Sequence, residues 1–177
     1  LNANTTGNDN VAIGSDALRF NTSGDDNTAI GSSAAYTLIN GNENIAVGKN
    51  ALYSNLSSNY NTAVGVNALF HNSTGTQNVA VGNNALNTAR GSYNVALGMN
   101  AGKGTTSTGN HNIMIGTDAG VDLTSGSSNI AVGSYALSNT TTGGKNTAIG
   151  SSALVANTTG NDNVAIGASS LKDLTTG

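Results

Sequence analysis

Read as hydrophobic and polar positions, the chain is one short phrase repeated. The phrase is Asn, a β-branched residue, Ala, a branched aliphatic residue and Gly, followed by mostly polar positions in which an Ala-Leu pair recurs. It begins at Asn10, Asn27, Asn44, Asn61, Asn78, Asn94, Asn112, Asn129, Asn146 and Asn163. The period is 17 residues; the two exceptions, 16 from Asn78 to Asn94 and 18 from Asn94 to Asn112, cancel. Self-similarity at one fixed spacing predicts a stack of like coils, a single repeat array over residues 1–177, rather than a globular domain with a pocket.

Counting each repeat from its Asn as position 1, position 2 is always Val, Thr or Ile and position 4 always Ile, Val or Leu. Branched residues two apart, followed by Gly, predict a short strand of about four residues and an all-β parallel solenoid. In such a strand positions 2 and 4 share one face, while Asn at 1, Ala at 3 and Gly at 5 share the other. Ala stands at position 3 in nine repeats, with Met114 the exception. One face is thus bulky and apolar and the other small. A thin coil has a single inside, so the remaining face predicts close packing against another layer or chain. The Ala-Leu pair at positions 8 and 9, as in Ala17-Leu18 and Ala51-Leu52, marks a second apolar segment.

Gly14, Gly31, Gly48, Gly65, Gly82, Gly98, Gly116, Gly133, Gly150 and Gly167 all fall at position 5, which predicts a corner requiring positive φ or close backbone approach. The Asn-Thr-Thr-Gly stretches supply the other corner. Coils in register bring the position 1 amides about 4.8 Å apart, where each NH2 can donate to the next carbonyl in a structural ladder. One coil cannot stand alone, because each repeat in such an array is stabilised by its neighbours.

Composition excludes several chemistries. The six basic residues are scattered through separate repeats and the net charge is −3, so no basic stripe exists for nucleic acid. Without cysteine there is neither a disulfide framework nor a thiolate metal site. Apolar runs are far short of the roughly 20 residues that span a bilayer, so no membrane insertion is expected of this segment. Asp9, Asp26 and Glu43 precede the motif Asn in three consecutive repeats, but that column continues as Tyr60, Gln77 and Tyr93; solvated loop tips are expected rather than a metal site. Paired carboxylates could in principle cleave glycosides, yet every acid sits in a short variable turn and no tryptophan is present for sugar stacking. His71 and His111 occupy different repeat positions with no triad around them. The expectation is a protein that is not an enzyme and uses no cofactor or metal, with a polysaccharide-degrading tailspike as the remotest alternative.

Six sequons, at Asn4, Asn21, Asn55, Asn72, Asn139 and Asn157, recur with the repeat and are expected to serve as turns more than as glycan acceptors. Tyr36, Tyr53 and Phe70 share position 10 in successive repeats, beside Phe20 at position 11. Such a strip could stack sugars or pack between chains; it is the candidate site of the alternative function, a glycan-binding receptor-recognition module. A flat Thr array for ice is not favoured, since Thr alternates irregularly with Val and Ile at position 2. Because the chain opens at LNANTTGND, matching LVANTTGND at 154–162, it reads as an excerpt of a longer fibre.

The segments NTAIGSSAL, NTAVGVNAL, NVAVGNNAL and NIAVGSYAL resemble the head repeats of YadA-like trimeric autotransporter adhesins. They resemble more closely the NTAxGxxAL repeats of phage tail fibres and of related surface proteins that end in an intramolecular chaperone domain. The resemblance covers the whole chain. It implies a left-handed β-roll in which three chains associate, with Gly14 and its equivalents at corners and the residues of positions 2 and 4 in the core. It further implies an extracellular structural or adhesive fibre, on a cell surface or a virion tail, whose partners are copies of itself and a host-surface glycan or protein. The adhesin head repeat is about 14 residues, so the 17-residue period adds a longer turn.

Overall fold

The computed structural model describes residues 2–104 and 107–177. Each repeat forms one coil containing one three-residue strand: β1 (Val11–Ile13), β2 (Thr28–Ile30), β3 (Ile45–Val47), β4 (Thr62–Val64), β5 (Val79–Val81), β6 (Val95–Leu97), β7 (Ile113–Ile115), β8 (Ile130–Val132), β9 (Thr147–Ile149) and β10 (Val164–Ile166). All ten lie in one parallel sheet in chain order. The architecture is a parallel β-solenoid of about nine turns, with no helix among the described residues.

Register is kept by repeat position rather than by residue count. Val79 pairs with Val95 and Val95 with Ile113, so the short and long repeats still align. The difference is absorbed before the second glycine of the coil: the side-chain Nδ2 of Asn78 reaches the carbonyl of Gly91, 13 residues on, and that of Asn94 reaches Gly109, 15 residues on. Buried strand positions cannot slip without turning their side chains to the wrong face, whereas the turn tolerates a residue gained or lost.

The small face of the strand points inward. Ala29, Ala46, Ala63, Ala80, Ala96 and the later equivalents are buried, Ala12 of the first coil is half-buried, and the Ala-Leu pairs of positions 8 and 9 are buried on the opposite wall. The residues of positions 2 and 4 lie outside, which corrects the expectation that they form the core: Ile30, Ile45, Val81, Leu97, Ile113 and Ile149 are 37–44% exposed. The lumen of a 17-residue coil is too narrow for two bulky layers. Leucine from position 9 and asparagine from position 1 fill it, and only Ala fits beneath them on the strand.

The Ala-Leu segment is a turn, not a second strand. Positions 7, 9 and 17 are left-handed in every coil, with φ between 48° and 62°. At position 9 the residue is usually Leu, for which this conformation costs about 1–2 kcal/mol. Full burial of that side chain contributes about 1.5–3 kcal/mol, so the core holds the backbone where local preference would not.

Three coils lack Leu at position 9, with Ala35 standing there in the second; the other two are adjacent, and their departure explains Met114. Position 9 is Gly102 in one and Gly120 in the next, which removes two core leucines. The Met114 side chain occupies the space: a Cβ at Gly102 would stand 2.6 Å from its Sδ, and one at Gly120 3.1 Å from its Cγ. Met114→Ala therefore installs the residue that nine repeats carry, yet is expected to destabilise by about 2–4 kcal/mol through the cavity it opens. Adding Gly102→Leu and Gly120→Leu should restore much of the loss. Chemical denaturation of the three proteins checks this, and a neutral Met114→Ala would refute the compensation.

Candidate functional site

Three columns of polar side chains run along the solenoid, each built by one repeat position. In the first, the Oδ1 of each motif asparagine accepts two hydrogen bonds from the next coil's asparagine, one from its backbone N–H and one from its Nδ2. For Asn27 and Asn44 these are 3.0 and 3.0 Å, for Asn61 and Asn78 3.0 and 3.3 Å. The Nδ2 also donates across the lumen to the carbonyl of the second corner, as from Asn61 to Gly75 at 3.0 Å. Asn27 through Asn146 are buried and Asn10 and Asn163 half-buried. A buried, mutually bonded amide column holds coils together and presents nothing to a ligand.

The second corner is closed by position 12. The Oδ1 of Asn21, Asn72 and Asn157 accepts from the N–H of the glycine three residues on, and the Nδ2 donates to that glycine's carbonyl. At Asn55 a serine replaces the glycine: Oδ1 accepts from the Ser58 N–H at 3.0 Å and hydroxyl at 2.6 Å, while Nδ2 is left buried without a partner. These four sequon asparagines are fully buried, whereas Asn4 and Asn139 are exposed. A glycan on any of the four would remove a corner and enter the core. Protein made in a glycosylating host and purified in folded form is expected to carry glycans at Asn4 and Asn139 at most. Glycopeptide mass spectrometry checks the sites; occupancy at Asn21 or Asn72 in folded material would contradict this.

The second column was not recognised in the sequence. At position 7, Asn50 Nδ2 donates to Asn67 Oδ1 at 3.2 Å, Asn67 to Asn84 at 3.3 Å, Asn84 to Asn100 at 3.3 Å, and Asn100 to the Asp118 carboxylate at 3.0 Å. These residues are only half-buried. Their polarity reads as ordinary turn chemistry, and only the left-handed backbone of position 7 aligns the amides. The third column, position 16, accepts backbone N–H groups: Asp25 from Asn8 at 2.7 Å, Asn42 from Asp25 at 2.8 Å, Asn59 from Asn42 at 2.7 Å. Gly144 interrupts it, beside a polar cleft of about 450 Å³ lined by Ser125, Ser127, Thr142, Lys145 and Asp162.

The aromatic strip is brought together. Tyr36 stacks on Tyr53 and Tyr53 on Phe70, with centroids 4.9 Å apart and planes parallel within 3°; Phe20 meets Tyr36 edge-on at 5.1 Å. The Arg19 guanidinium lies 5.6 Å from the Phe20 centroid and 2.8 Å from Asp16. The inner ring faces are covered by one another, so what the strip turns outward is ring edge rather than the flat face on which a sugar stacks. Beside it an apolar cleft of about 300 Å³ is lined by Phe20, Ile39 and Leu56 with flanking threonines.

Asp9, Asp26 and Glu43 sit at exposed left-handed tips. Among the described residues no group of three or more His, Asp or Glu side chains is placed to hold a metal ion. His71 packs edge-on against Phe70 at 4.5 Å, and His111 stacks on Tyr93 at 4.8 Å; the two histidines are not brought together. No helix is long and apolar enough to cross a membrane among the described residues.

The outer face of the ten-stranded sheet is the largest feature of another kind. Its two columns of Val, Ile, Leu and Thr run about 43 Å along the axis at ~4.8 Å per strand and are about 7 Å apart. These features define a class, the parallel β-solenoid with side-chain ladders. Beyond that class, comparison with family models, curated proteins and solved structures gives no match.

Proposed function

We propose that the chain is a segment of an extracellular structural or adhesive fibre that associates as a homotrimer and extends a binding surface away from its anchor. The observation that carries the reading is the outer sheet face. Monomeric soluble proteins rarely leave a long contiguous apolar face in water, and here the position 4 column is aliphatic in all ten coils, with Thr at position 2 in only three. A periodic face fits best against copies of itself, since like coils in register keep like spacing over the whole length. Association through this face leaves the loop columns of positions 7, 10 and 17 outside, where a fibre meets a host-surface glycan or protein. Left-handed winding belongs to the same proposal, through the resemblance of the repeats to those of the trimeric adhesins and tail fibres. The proposed role is non-catalytic.

Light scattering on the purified chain tests it. The expected mass is three times 17.4 kDa, with rods of one length by electron microscopy. Ile45→Glu with Val81→Glu should give monomers whose circular dichroism is unchanged, because both side chains are 38–44% exposed within the single chain. A stable monomer of the unaltered chain at micromolar concentration would overturn the reading.

A further inference from the structure

We propose that the position 7 amide row, Asn50–Asn67–Asn84–Asn100, is a binding track for a neutral polysaccharide lying along the solenoid axis. This goes beyond the fibre reading, since one chain carries the whole row, and it moves sugar recognition away from the aromatic strip.

Hydrogen-bond counting points to the track. A primary amide has two N–H donors and two acceptor lone pairs. Each interior member of the row commits one N–H to the coil above and one lone pair to the coil below. One donor therefore remains on Asn50, Asn67 and Asn100 and an acceptor on every member, while Asn84 spends its second N–H on the Oδ1 of its exposed neighbour Asn83 at 2.8 Å. Over these four coils they make a line of acceptors, with donors at three of them, at ~4.8 Å spacing, close to the length of one pyranose unit in an extended chain. Vicinal sugar hydroxyls both donate and accept, and they match such pairs.

The row is already ordered. Its rotamers are fixed by the ladder bonds and its backbone by the left-handed turn at Asn50, Asn67, Asn84 and Asn100, with φ of 55–57°. Little side-chain entropy is then lost on binding, which is the cost that usually weakens polar recognition. The motif-asparagine ladder has the same chemistry but is buried, so the two columns divide into one that holds coils and one that can meet a ligand.

The cleft beside the row supports the same ligand class. It measures about 370 Å³ and is lined by Asn50, Asn67, Asn84, Asn87, Phe70 and His71. Asn87 spends an Nδ2 proton on the Asn67 carbonyl at 3.0 Å, leaving its Oδ1 as a further acceptor. Exposed His71 stands edge-on to Phe70, a wall of ring against which a sugar can lie. No Asp, Glu, Lys or Arg lines the cleft, so a neutral chain suits it better than a uronic-acid or sulfated one.

The test titrates the whole chain, in its own oligomeric state, with cellohexaose and chitohexaose while recording side-chain NH2 signals by 1H–15N NMR. At least one hexasaccharide is expected to shift the signals of Asn50, Asn67 and Asn84 and leave those of buried Asn61 and Asn78 in place. Asn50→Gly/Asn67→Gly/Asn84→Gly keeps a residue suited to positive φ and should weaken binding at least tenfold. His71→Ala, outside the ladder, should weaken it about threefold with no change in melting temperature, and serves if the triple variant does not fold. Absence of shifts with both hexasaccharides, or shifts confined to other residues, would overturn the track. So would unchanged affinity in a folded triple variant or, if that variant does not fold, unchanged affinity in His71→Ala. A monomer by light scattering would remove the trimer and leave this inference standing.

Discussion

Gly82→Ala is expected to cost about 3–5 kcal/mol and to split the array between its fifth and sixth coils, whereas Gly167→Ala at the same repeat position should cost about 1–3 kcal/mol. Both glycines are at positive φ, +135° and +117°, a region that strains an L-residue by about 1–3 kcal/mol. At Gly82 an added Cβ would also stand 2.5 Å from the Gly98 carbonyl oxygen and 2.7 Å from its carbon. Those are backbone atoms of the next coil and can yield only if the coils separate, which adds an overpacking cost of about 1–3 kcal/mol. At Gly167 nothing lies within 4 Å, so only the dihedral strain remains. Denaturant unfolding of the two variants separates the contributions, and hydrogen exchange at Gly98, whose N–H donates to Val81, reports where the array opens. Equal costs would show that backbone strain alone decides the conservation of the residue type along the array.

Asn61→Ala is the second large effect, expected at about 2–4 kcal/mol. The Asn61 Oδ1 is the acceptor of the buried Asn78 N–H at 3.0 Å and of its Nδ2 at 3.3 Å. The backbone N–H has no other partner, and an orphaned buried donor costs about 1–3 kcal/mol beyond the bond lost. Gly75 still accepts from Asn72 at 2.8 Å, and Asn44 still accepts the Asn61 N–H at 3.0 Å, so the damage lies toward the fifth coil. Asn163→Ala is the internal control: its Oδ1 accepts no hydrogen bond from a further coil, and the expected cost is about 1 kcal/mol or less. Faster exchange of the Asn78 amide in Asn61→Ala, with the Asn27 amide unaffected, checks the location. Equal losses for the two variants would mean that the amides act through turn propensity rather than through the ladder.

Both effects concern positions that the sequence marks plainly. Asn at position 1 and Gly at position 5 stand in all ten repeats, and one short strand per coil follows from branched residues two apart. The candidate binding track was not legible in the same way. Position 7 is Asp, Ser, Asn or Tyr, an unremarkable turn composition, and its side chains align only because every coil is left-handed there. Likewise Met114 reads as an isolated exception until Gly102 and Gly120, distant in the repeat, are seen to share its space. The aromatic strip was legible as a column but not as a closed stack, since composition does not say which way ring planes face.

What the sequence by itself determined was the period, the strand, the corner glycine and the in-register stacking of like residues, because each follows from spacing and local stereochemistry. Which face of the strand is inside was decided only in the tertiary structure. Alternation separates a bulky face from a small one but assigns neither to the lumen, and apolar character alone favours the bulky one. The width left between two walls of a 17-residue coil settles it: leucine from the far wall and the asparagine that opens each strand already fill that space, so Ala goes in and Ile and Val turn outward.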